Sequence, residues 1–107
     1  MNVPELSPLE LKQELESSSP PVIVDVREDY ELEISSLPNA IHIPMMDIPA
    51  RMNELDPASN IVVICRSGVR SRNVTAFLLG QGFKSVRNLE TGMNGWADTV
   101  DTEVTKY

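Results

Sequence analysis

The sequence predicts an α/β fold in which helices flank a central, mostly parallel sheet. Residues 22–26 and 61–64 form two apolar runs of strand length, and the second run has no polar interruption. Such a run is typical of a parallel strand that is buried on both faces. Apolar residues at helical spacing follow the second run, at Val74, Phe77 and Leu78. Strand, tight loop and helix, in this order, are the building units of α/β proteins.

The first predicted helix begins at a capping box. Ser7 is in the N-cap position, Pro8 occupies the first helical position, and Glu10 can reach back to the cap. We expect this helix to run to about Ser17, because the serines and prolines of residues 17–21 stop it.

Residues 40–44 alternate between apolar and polar types, which predicts a short strand with His42 on the face opposite its isoleucines. We expect a short helix within residues 45–55, with Asp47 as a candidate cap. The three methionines of this segment are expected to fill gaps in the core. An adaptable contact surface for a partner is the alternative.

Glycines mark the end of the helix that follows residues 61–64, where Gly80 and Gly82 close it. A last short strand is expected within residues 83–89. A last helix is expected from Gly92, with Trp96 as an anchor in the core. Glycine in this region would let the backbone approach the loop after the central strand closely.

The length of 107 residues suits one hydrophobic core, and we expect a single domain, residues 1–107. No apolar run approaches the length of a membrane span, and the first residues lack the pattern of a signal peptide. The single cysteine excludes an internal disulfide and suits a reducing compartment. We therefore expect a cytoplasmic protein, and we also expect a monomer.

The net charge of −7 limits the classes of partner. Long-range repulsion opposes binding to nucleic acid and to an anionic membrane surface. Against this background, four of the nine basic residues lie at or soon after the cysteine: Arg66, Arg70, Arg72 and Lys84. A local positive mouth of this kind would attract small anions.

Cys65 directly follows the central strand. The carboxyl ends of parallel strands, beside the amino ends of the next helices, are where open α/β folds place their ligand sites. Unpaired N–H groups in the first turn of a helix favour an anion, which a thiolate can supply. Gly68 lets the loop curl tightly, and three arginines add positive charge. The sequence therefore predicts a loop that stabilises a thiolate.

A lowered pKa of Cys65 would assist its departure as a leaving group more than its attack as a nucleophile. A shift of about two units below the free thiol value of about 8.5 raises the thiolate fraction at neutral pH about 25-fold. Intrinsic nucleophilicity falls about six- to tenfold over the same shift, so attack gains only about a few-fold. A stabilised thiolate also leaves more rapidly. The loop therefore suits a cysteine that accepts a group and then releases it.

Four motifs, in order and with compatible spacing, resemble those of the rhodanese-like domain family. They are Asp-Val-Arg-Glu at 25–28, Leu-Pro-Asn-Ala-Ile-His-Ile-Pro at 37–44, Cys-Arg-Ser-Gly-Val-Arg-Ser at 65–71 and Gly-Met-Asn-Gly-Trp at 92–96. Together they span nearly the whole chain. The resemblance implies a three-layer α/β/α fold around a five-stranded sheet.

The resemblance also implies a function. A rhodanese-like sulfurtransferase would accept sulfane sulfur from a small anionic donor such as thiosulfate as a persulfide on Cys65, and pass it to cyanide, a thiol or a sulfur-carrier protein. Covalent catalysis of this kind needs neither a metal nor an organic cofactor. Residues 96–107 are similar to the end of rhodanese domains fused to adenylyltransferases, which implies a ubiquitin-like carrier as one acceptor. The residues implied to hold the persulfide are Arg66, Ser67, Gly68, Val69, Arg70 and Ser71.

Two other functions stay open. A binding or regulatory module could keep the loop without useful turnover, because a fold does not determine a rate. A cysteine phosphatase would need an arginine after five intervening residues, but Ser71 stands there and Arg70 comes one place earlier. This shorter loop favours a pocket for one sulfur atom over a pocket for phosphate. An inert buried thiol is disfavoured by the neighbouring arginines and glycine.

Other polar residues are expected to have structural parts. Asp25 and Arg27 could form a pair that holds neighbouring loops, or a solvated surface cluster. His42 is expected to be satisfied or solvated rather than a catalytic base. One histidine and one cysteine cannot assemble a zinc site from those ligand types, so we expect no metal.

Overall fold

The computed structural model describes residues 2–107 and contains one five-stranded sheet. Its strands are β1 (Glu5–Leu6), β2 (Val22–Asp25), β3 (Ile41–His42), β4 (Asn60–Ile64) and β5 (Ser85–Leu89). They lie in the order β1-β5-β4-β2-β3, and every neighbouring pair is parallel. The helices are α1 (Pro8–Leu15), α2 (Asp29–Ile34), α3 (Ile48–Arg51), α4 (Val69–Gly80) and α5 (Gly92–Thr99). Within residues 2–107, no helix has the length and apolar character needed to cross a bilayer.

Alternate residues of β4 face two separate cores. Ile61, Val63 and, just beyond the strand, Cys65 belong to one core. Val62 and Ile64 belong to the other core. All five residues are almost fully buried. The prediction of a central parallel strand that is buried on both faces is confirmed.

Helices cover both faces of the sheet. From α3 and α4, Ile48, Val74 and Leu78 enter the core that contains Cys65. From α1 and α5, Leu11 and Trp96 enter the core on the opposite face. The predicted three-layer α/β/α arrangement is therefore confirmed, and Trp96 anchors the core as expected.

The capping box of α1 is present as predicted. The backbone N–H of Ser7 donates to Glu10 Oε1 at 2.9 Å, and that of Glu10 donates to Ser7 Oγ at 3.1 Å. The helix ends at Leu15 rather than near Ser17. Sequence patterns did not predict β1 or α2, because two and six residues are too few to show a hydrophobic period.

Residues 45–55 form three short helical pieces rather than one helix: 3-10 turns at Met45–Asp47 and Met52–Glu54, with α3 between them. The side chain of Asp47 does not cap α3, so that prediction was wrong. The backbone of Asp47 is helical, at φ −91° and ψ −8°, whereas a capping residue needs an extended backbone. Met45 and Met52 pack against the core, as expected for residues that fill gaps, while Met46 is exposed.

Asp25 and Arg27 form a buried ion pair at the carboxyl end of β2. Arg27 Nη2 lies 2.7 Å from Asp25 Oδ2, and both side chains are fully buried. Arg27 also donates to the carbonyl oxygens of Glu31 and Ser35, which attaches α2 to the sheet. The alternative of a solvated surface cluster is therefore wrong, and the pair holds neighbouring segments together.

Replacing Arg27 by methionine should destabilise the protein strongly, because the carboxylate of Asp25 would stay buried without its partner. We expect a loss of about 3–5 kcal/mol in the free energy of unfolding, measured by urea denaturation. Arg51→Met is the matched control, since Arg51 pairs with Glu54 at the surface and its loss should be much smaller. Equal losses in the two variants would contradict a structural role for the buried pair.

Candidate active site

The loop between β4 and α4 places Cys65 at the carboxyl edge of the sheet. Cys65 continues the alternation of β4 and is 1% exposed. Gly68, directly before α4, has φ = 102°, a backbone conformation that favours glycine. The chain therefore reverses between Cys65 and Val69, and the first turn of α4 comes to face the sulfur.

Hydrogen-bond donors converge on Cys65 Sγ. The backbone N–H of Gly68 donates to the sulfur at 3.1 Å, and the backbone N–H of Ser71 donates at 3.5 Å. Ser71 Oγ lies 3.2 Å from the same sulfur. Among the residues that the sequence singled out, the structure thus brings Cys65, Gly68 and Ser71 into direct contact.

The surroundings of Cys65 act on its pKa in opposite directions. Burial raises the pKa of the thiol, because it disfavours the charged form. Hydrogen bonds lower the pKa, and they come from the Ser71 side chain and from the backbone N–H groups of Ser71, Gly68 and Ser67. The hydrogen bonds together outweigh burial, so the pKa of Cys65 lies below its usual value.

Two arginines of the loop region are paired with acids. Arg70 donates to both carboxylate oxygens of Glu31, at 2.7 and 2.8 Å. Arg72 Nη2 lies 3.6 Å from Glu5 Oε2. These carboxylates neutralise much of the positive charge that the sequence predicts at the mouth of the site. An incoming anion therefore meets a weaker field than the count of arginines indicates.

Tyr107 joins the loop to the buried ion pair. Its hydroxyl donates to Glu31 Oε2 at 2.6 Å and accepts a hydrogen bond from Arg27 Nη1 at 3.0 Å. The guanidinium carbon of Arg66 lies 4.9 Å from the centre of the Tyr107 ring, a distance at which cation–π attraction acts. Residues far apart in the sequence thus share one network beside the site.

Sequence patterns did not point to Glu31, Tyr107 or Asn88. Asn88, in β5, is fully buried, accepts a hydrogen bond from the Ser71 hydroxyl and donates to the carbonyl oxygen of Gly68. An asparagine within a predicted strand is a signal that could have identified it. Glu31 and Tyr107 have no such local signal, because only the tertiary fold brings them to the loop.

The remaining predicted residues lie on the outer side of the loop. The side chains of Arg66 and Ser67 are exposed, and that of Val69 is 60% exposed.

His42 lies on β3, where its Nε2 is 2.6 Å from the carbonyl oxygen of Arg27. It is a satisfied side chain, as expected, and it supports the segment after β2.

The start of α5 packs directly against the backbone of the loop. The N–H of Met93 donates to the carbonyl oxygen of Cys65 at 2.9 Å, and the N–H of Asn94 donates to that of Arg66 at 3.0 Å. Gly92 has φ = 58°, and a Cβ atom there would lie 2.5 Å from both carbonyl oxygens. The expected close approach of a glycine backbone to the loop is confirmed.

Gly92→Ala should therefore displace the loop. We expect a loss of about 2–4 kcal/mol in the free energy of unfolding, from the clash and from the positive φ. Gly80→Ala is the matched control, because a Cβ at Gly80 meets no atom within 4 Å and alanine is the better helix former. If urea denaturation gives the two variants equal stability, the close approach does not constrain the loop.

Glu31 should make the stability of the protein depend on acid pH. Hydrogen bonds from Arg70 lower the pKa of this carboxyl from 4.5 to about 2. Because the folded-state pKa is depressed, the stabilisation is fully present above pH 4.5 and is lost as the pH falls through about 2. The shift corresponds to about 3 kcal/mol.

The destabilisation caused by Glu31→Gln, measured by urea denaturation, should therefore be largest at neutral pH and shrink between about pH 5 and pH 2. Glu33→Gln, which removes an exposed carboxylate from the same helix, is the control. A pH-independent effect of Glu31→Gln would contradict the assigned ion pair.

Comparison with known proteins agrees with the fold and with the motifs. A family model described as rhodanese-like domain matches residues 7–99. The protein YtwF of Bacillus subtilis is 46% identical over 96 residues, which cover 90% of this chain and 92% of that protein. A sulfurtransferase of Allochromatium vinosum is 37% identical over 95 residues, 89% of each chain.

Solved structures give the same result. The crystal structure of a rhodanese-like domain protein from Staphylococcus aureus superposes with a TM-score of 0.85 at 37% identity, over 92% of this chain and 95% of that one. The resemblance inferred from the four motifs is confirmed, since the family model, the relatives and the solved structure agree with it. The chain belongs to the rhodanese-like domain family.

Proposed function

We propose that this protein is a sulfurtransferase that carries sulfane sulfur on Cys65. The observation that supports this function is the convergence of two backbone N–H groups, those of Gly68 and Ser71, on one sulfur atom. Such an arrangement favours negative charge on sulfur. It would stabilise Cys65 as the attacking thiolate and again as the leaving group.

In the first step, the Cys65 thiolate attacks the outer sulfur of a donor such as thiosulfate. A new S–S bond forms, the S–S bond of thiosulfate breaks, and sulfite leaves with the electron pair. In the second step, cyanide or a thiolate attacks the outer sulfur of the persulfide, and Cys65 leaves as a thiolate. The loop formed by residues 66–71 surrounds the sulfur in both steps, so the residues of this chain supply the covalent catalysis.

A small donor suits this site because Cys65 is almost closed off from solvent. The thiosulfate sulfurtransferase GlpE of Pseudomonas syringae is 33% identical over 82 residues, 77% of each chain, which supports thiosulfate as the donor. Both terminal nitrogens of Arg70 are bound to Glu31 rather than directed at the loop. This pairing disfavours a phosphatase, which needs an arginine to hold the phosphate group.

The proposed acceptor is a thiol or a ubiquitin-like sulfur-carrier protein. An Arabidopsis thaliana protein named adenylyltransferase and sulfurtransferase MOCS3 is 28% identical over 118 residues, and the chain covers 25% of it. Arg66, Ser67 and Val69 present exposed side chains on the outer side of the loop. These side chains would be the first to meet a protein acceptor. We place the reaction in a reducing compartment such as the cytoplasm, because it needs a free thiol.

Incubation with thiosulfate should add one sulfur atom to the protein, as measured by intact mass spectrometry. Subsequent addition of cyanide should remove that atom and release thiocyanate. Cys65→Ser should abolish both results, whereas Ser18→Ala, which removes an exposed hydroxyl outside the loop, should retain them. If Cys65 gains no sulfur while iodoacetamide still alkylates it, the proposed function is wrong.

Further measurements on the wild type and Cys65→Ser separate the two alternative functions. A binding module would yield no thiocyanate, and its capture of a partner would be unchanged by Cys65→Ser. A phosphatase would release phosphate steadily from an aryl phosphate, and Cys65→Ser would abolish that release.

A further inference from the structure

A chain of buried polar side chains lies behind Cys65. Ser71 Oγ is 3.2 Å from Cys65 Sγ and is also hydrogen-bonded to Asn88 Oδ1. Both Ser71 and Asn88 are fully buried. Asn88 lies beside Val63 in the register of β5 and β4, so the sheet itself brings its amide towards the sulfur.

The orientation of the Asn88 amide follows from its neighbours. Asn88 Nδ2 is 2.7 Å from Glu5 Oε2 and 3.1 Å from the carbonyl oxygen of Gly68. Both of these oxygens accept hydrogen bonds, so they engage the two hydrogens of Nδ2. The flipped amide would place its oxygen against two other oxygens. Asn88 Oδ1 therefore faces Ser71 and can only accept a hydrogen bond from it.

This orientation determines which way the Ser71 hydroxyl points. A hydroxyl has one hydrogen, and in Ser71 that hydrogen is directed at Asn88 Oδ1. The lone pairs of Ser71 Oγ then face Cys65 Sγ, 3.2 Å away, and we infer that the S–H of the neutral thiol donates to them. In the resting protein the hydrogen bonds thus run in one direction, from Cys65 to Ser71 to Asn88.

Ionisation of the Cys65 thiol removes the first donor of this series of hydrogen bonds. When the thiol proton leaves to solvent, the Ser71 hydroxyl can donate either to the thiolate or to Asn88 Oδ1, but not to both. Whichever acceptor is not chosen loses a partner in a buried site, which is unfavourable. Asn88 therefore opposes ionisation of Cys65, while the N–H groups of Gly68 and Ser71 favour it.

We propose that Asn88 is a positioning residue that directs the Ser71 hydroxyl away from the sulfur and so partly opposes ionisation of the sulfur-free cysteine. The inference rests on the proposed function, in which Cys65 accepts and releases sulfur. With sulfur attached, Sγ carries no hydrogen, so Ser71 keeps its bond to Asn88 and the conflict is absent. The thiolate rather than the thiol reacts with oxidants, so Asn88 would protect the site between donors.

Charged groups near the polar chain are arranged in pairs. Arg70 of α4 faces Glu31 of α2, and Arg72 of α4 faces Glu5 of β1. The charges within each pair largely offset one another, which leaves the direction of the Ser71 hydrogen bond as a separate influence on the thiol.

The test is the pH dependence of alkylation of Cys65 by iodoacetamide, which reports the pKa of the thiol. Asn88→Leu keeps a similar volume and removes the acceptor, so the pKa should fall by about one unit. Gly68 keeps a second hydrogen bond on its carbonyl oxygen, from the N–H of Arg72 at 3.2 Å. If Asn88 only supported the structure of the loop, the opposite result would be expected. A loosened loop would lose its N–H contacts to Cys65 Sγ, and the pKa of Cys65 would rise.

The effect of Asn88→Leu on the pKa of Cys65 should require the Ser71 hydroxyl. In a Ser71→Ala background, Asn88→Leu should not change the pKa of Cys65. Thr75→Val is the control, because it removes a buried hydroxyl that donates to the carbonyl oxygen of Ser71 and does not involve the sulfur. Asn88→Ala should shift the pKa in the same direction and replaces the leucine variant if that variant does not fold.

A pKa that rises or stays unchanged in Asn88→Leu would overturn the inference. The alkylation profile needs no sulfur transfer, so it is independent of the thiosulfate experiment. Absence of a persulfide in the wild type together with a lowered pKa in Asn88→Leu would remove the proposed function and leave the orientation of Ser71 established.

Discussion

The site depends on keeping a short arc of backbone N–H groups directed at one buried sulfur atom. The loop could not hold this arrangement alone, because its carbonyl oxygens need partners when its N–H groups turn inward. The start of α5 binds the carbonyl oxygens of Cys65 and Arg66, and Asn88 binds that of Gly68. The loop is therefore held by two segments that follow it in the chain, β5 and the start of α5.

A second constraint concerns charge. The proposed anionic donor would need positive charge near the site, yet unpaired arginines close together would repel one another. Here Glu31 binds Arg70, and Tyr107 connects Glu31 with Arg27. Arg27 in turn pairs with Asp25 at the end of β2. The arginines near the loop are thus held in position by carboxylates. This pairing suits arginines that position the loop better than arginines that attract an anion over a long distance.

Much of the fold was predictable because the informative residues are local. The apolar run before Cys65 and the capping box at Ser7 produce their structures through neighbours in the sequence, and both predictions were confirmed. The short elements β1 and α2 were not predictable, since their position depends on pairing with distant segments. Asp47 illustrates the same limit, because a capping residue can be inferred from its type but its backbone conformation cannot.

The sequence by itself determined a central parallel strand, a glycine turn after it and a cysteine between the two, because these features depend on hydrophobic pattern and on local backbone conformation. It also identified the family through the order of four motifs. Only the tertiary structure decided how the loop is electrostatically balanced and which way Ser71 donates its hydrogen. Those properties come from Glu31, Asn88 and Tyr107, which reach the loop through the packing of α2, β5 and the last residues against it.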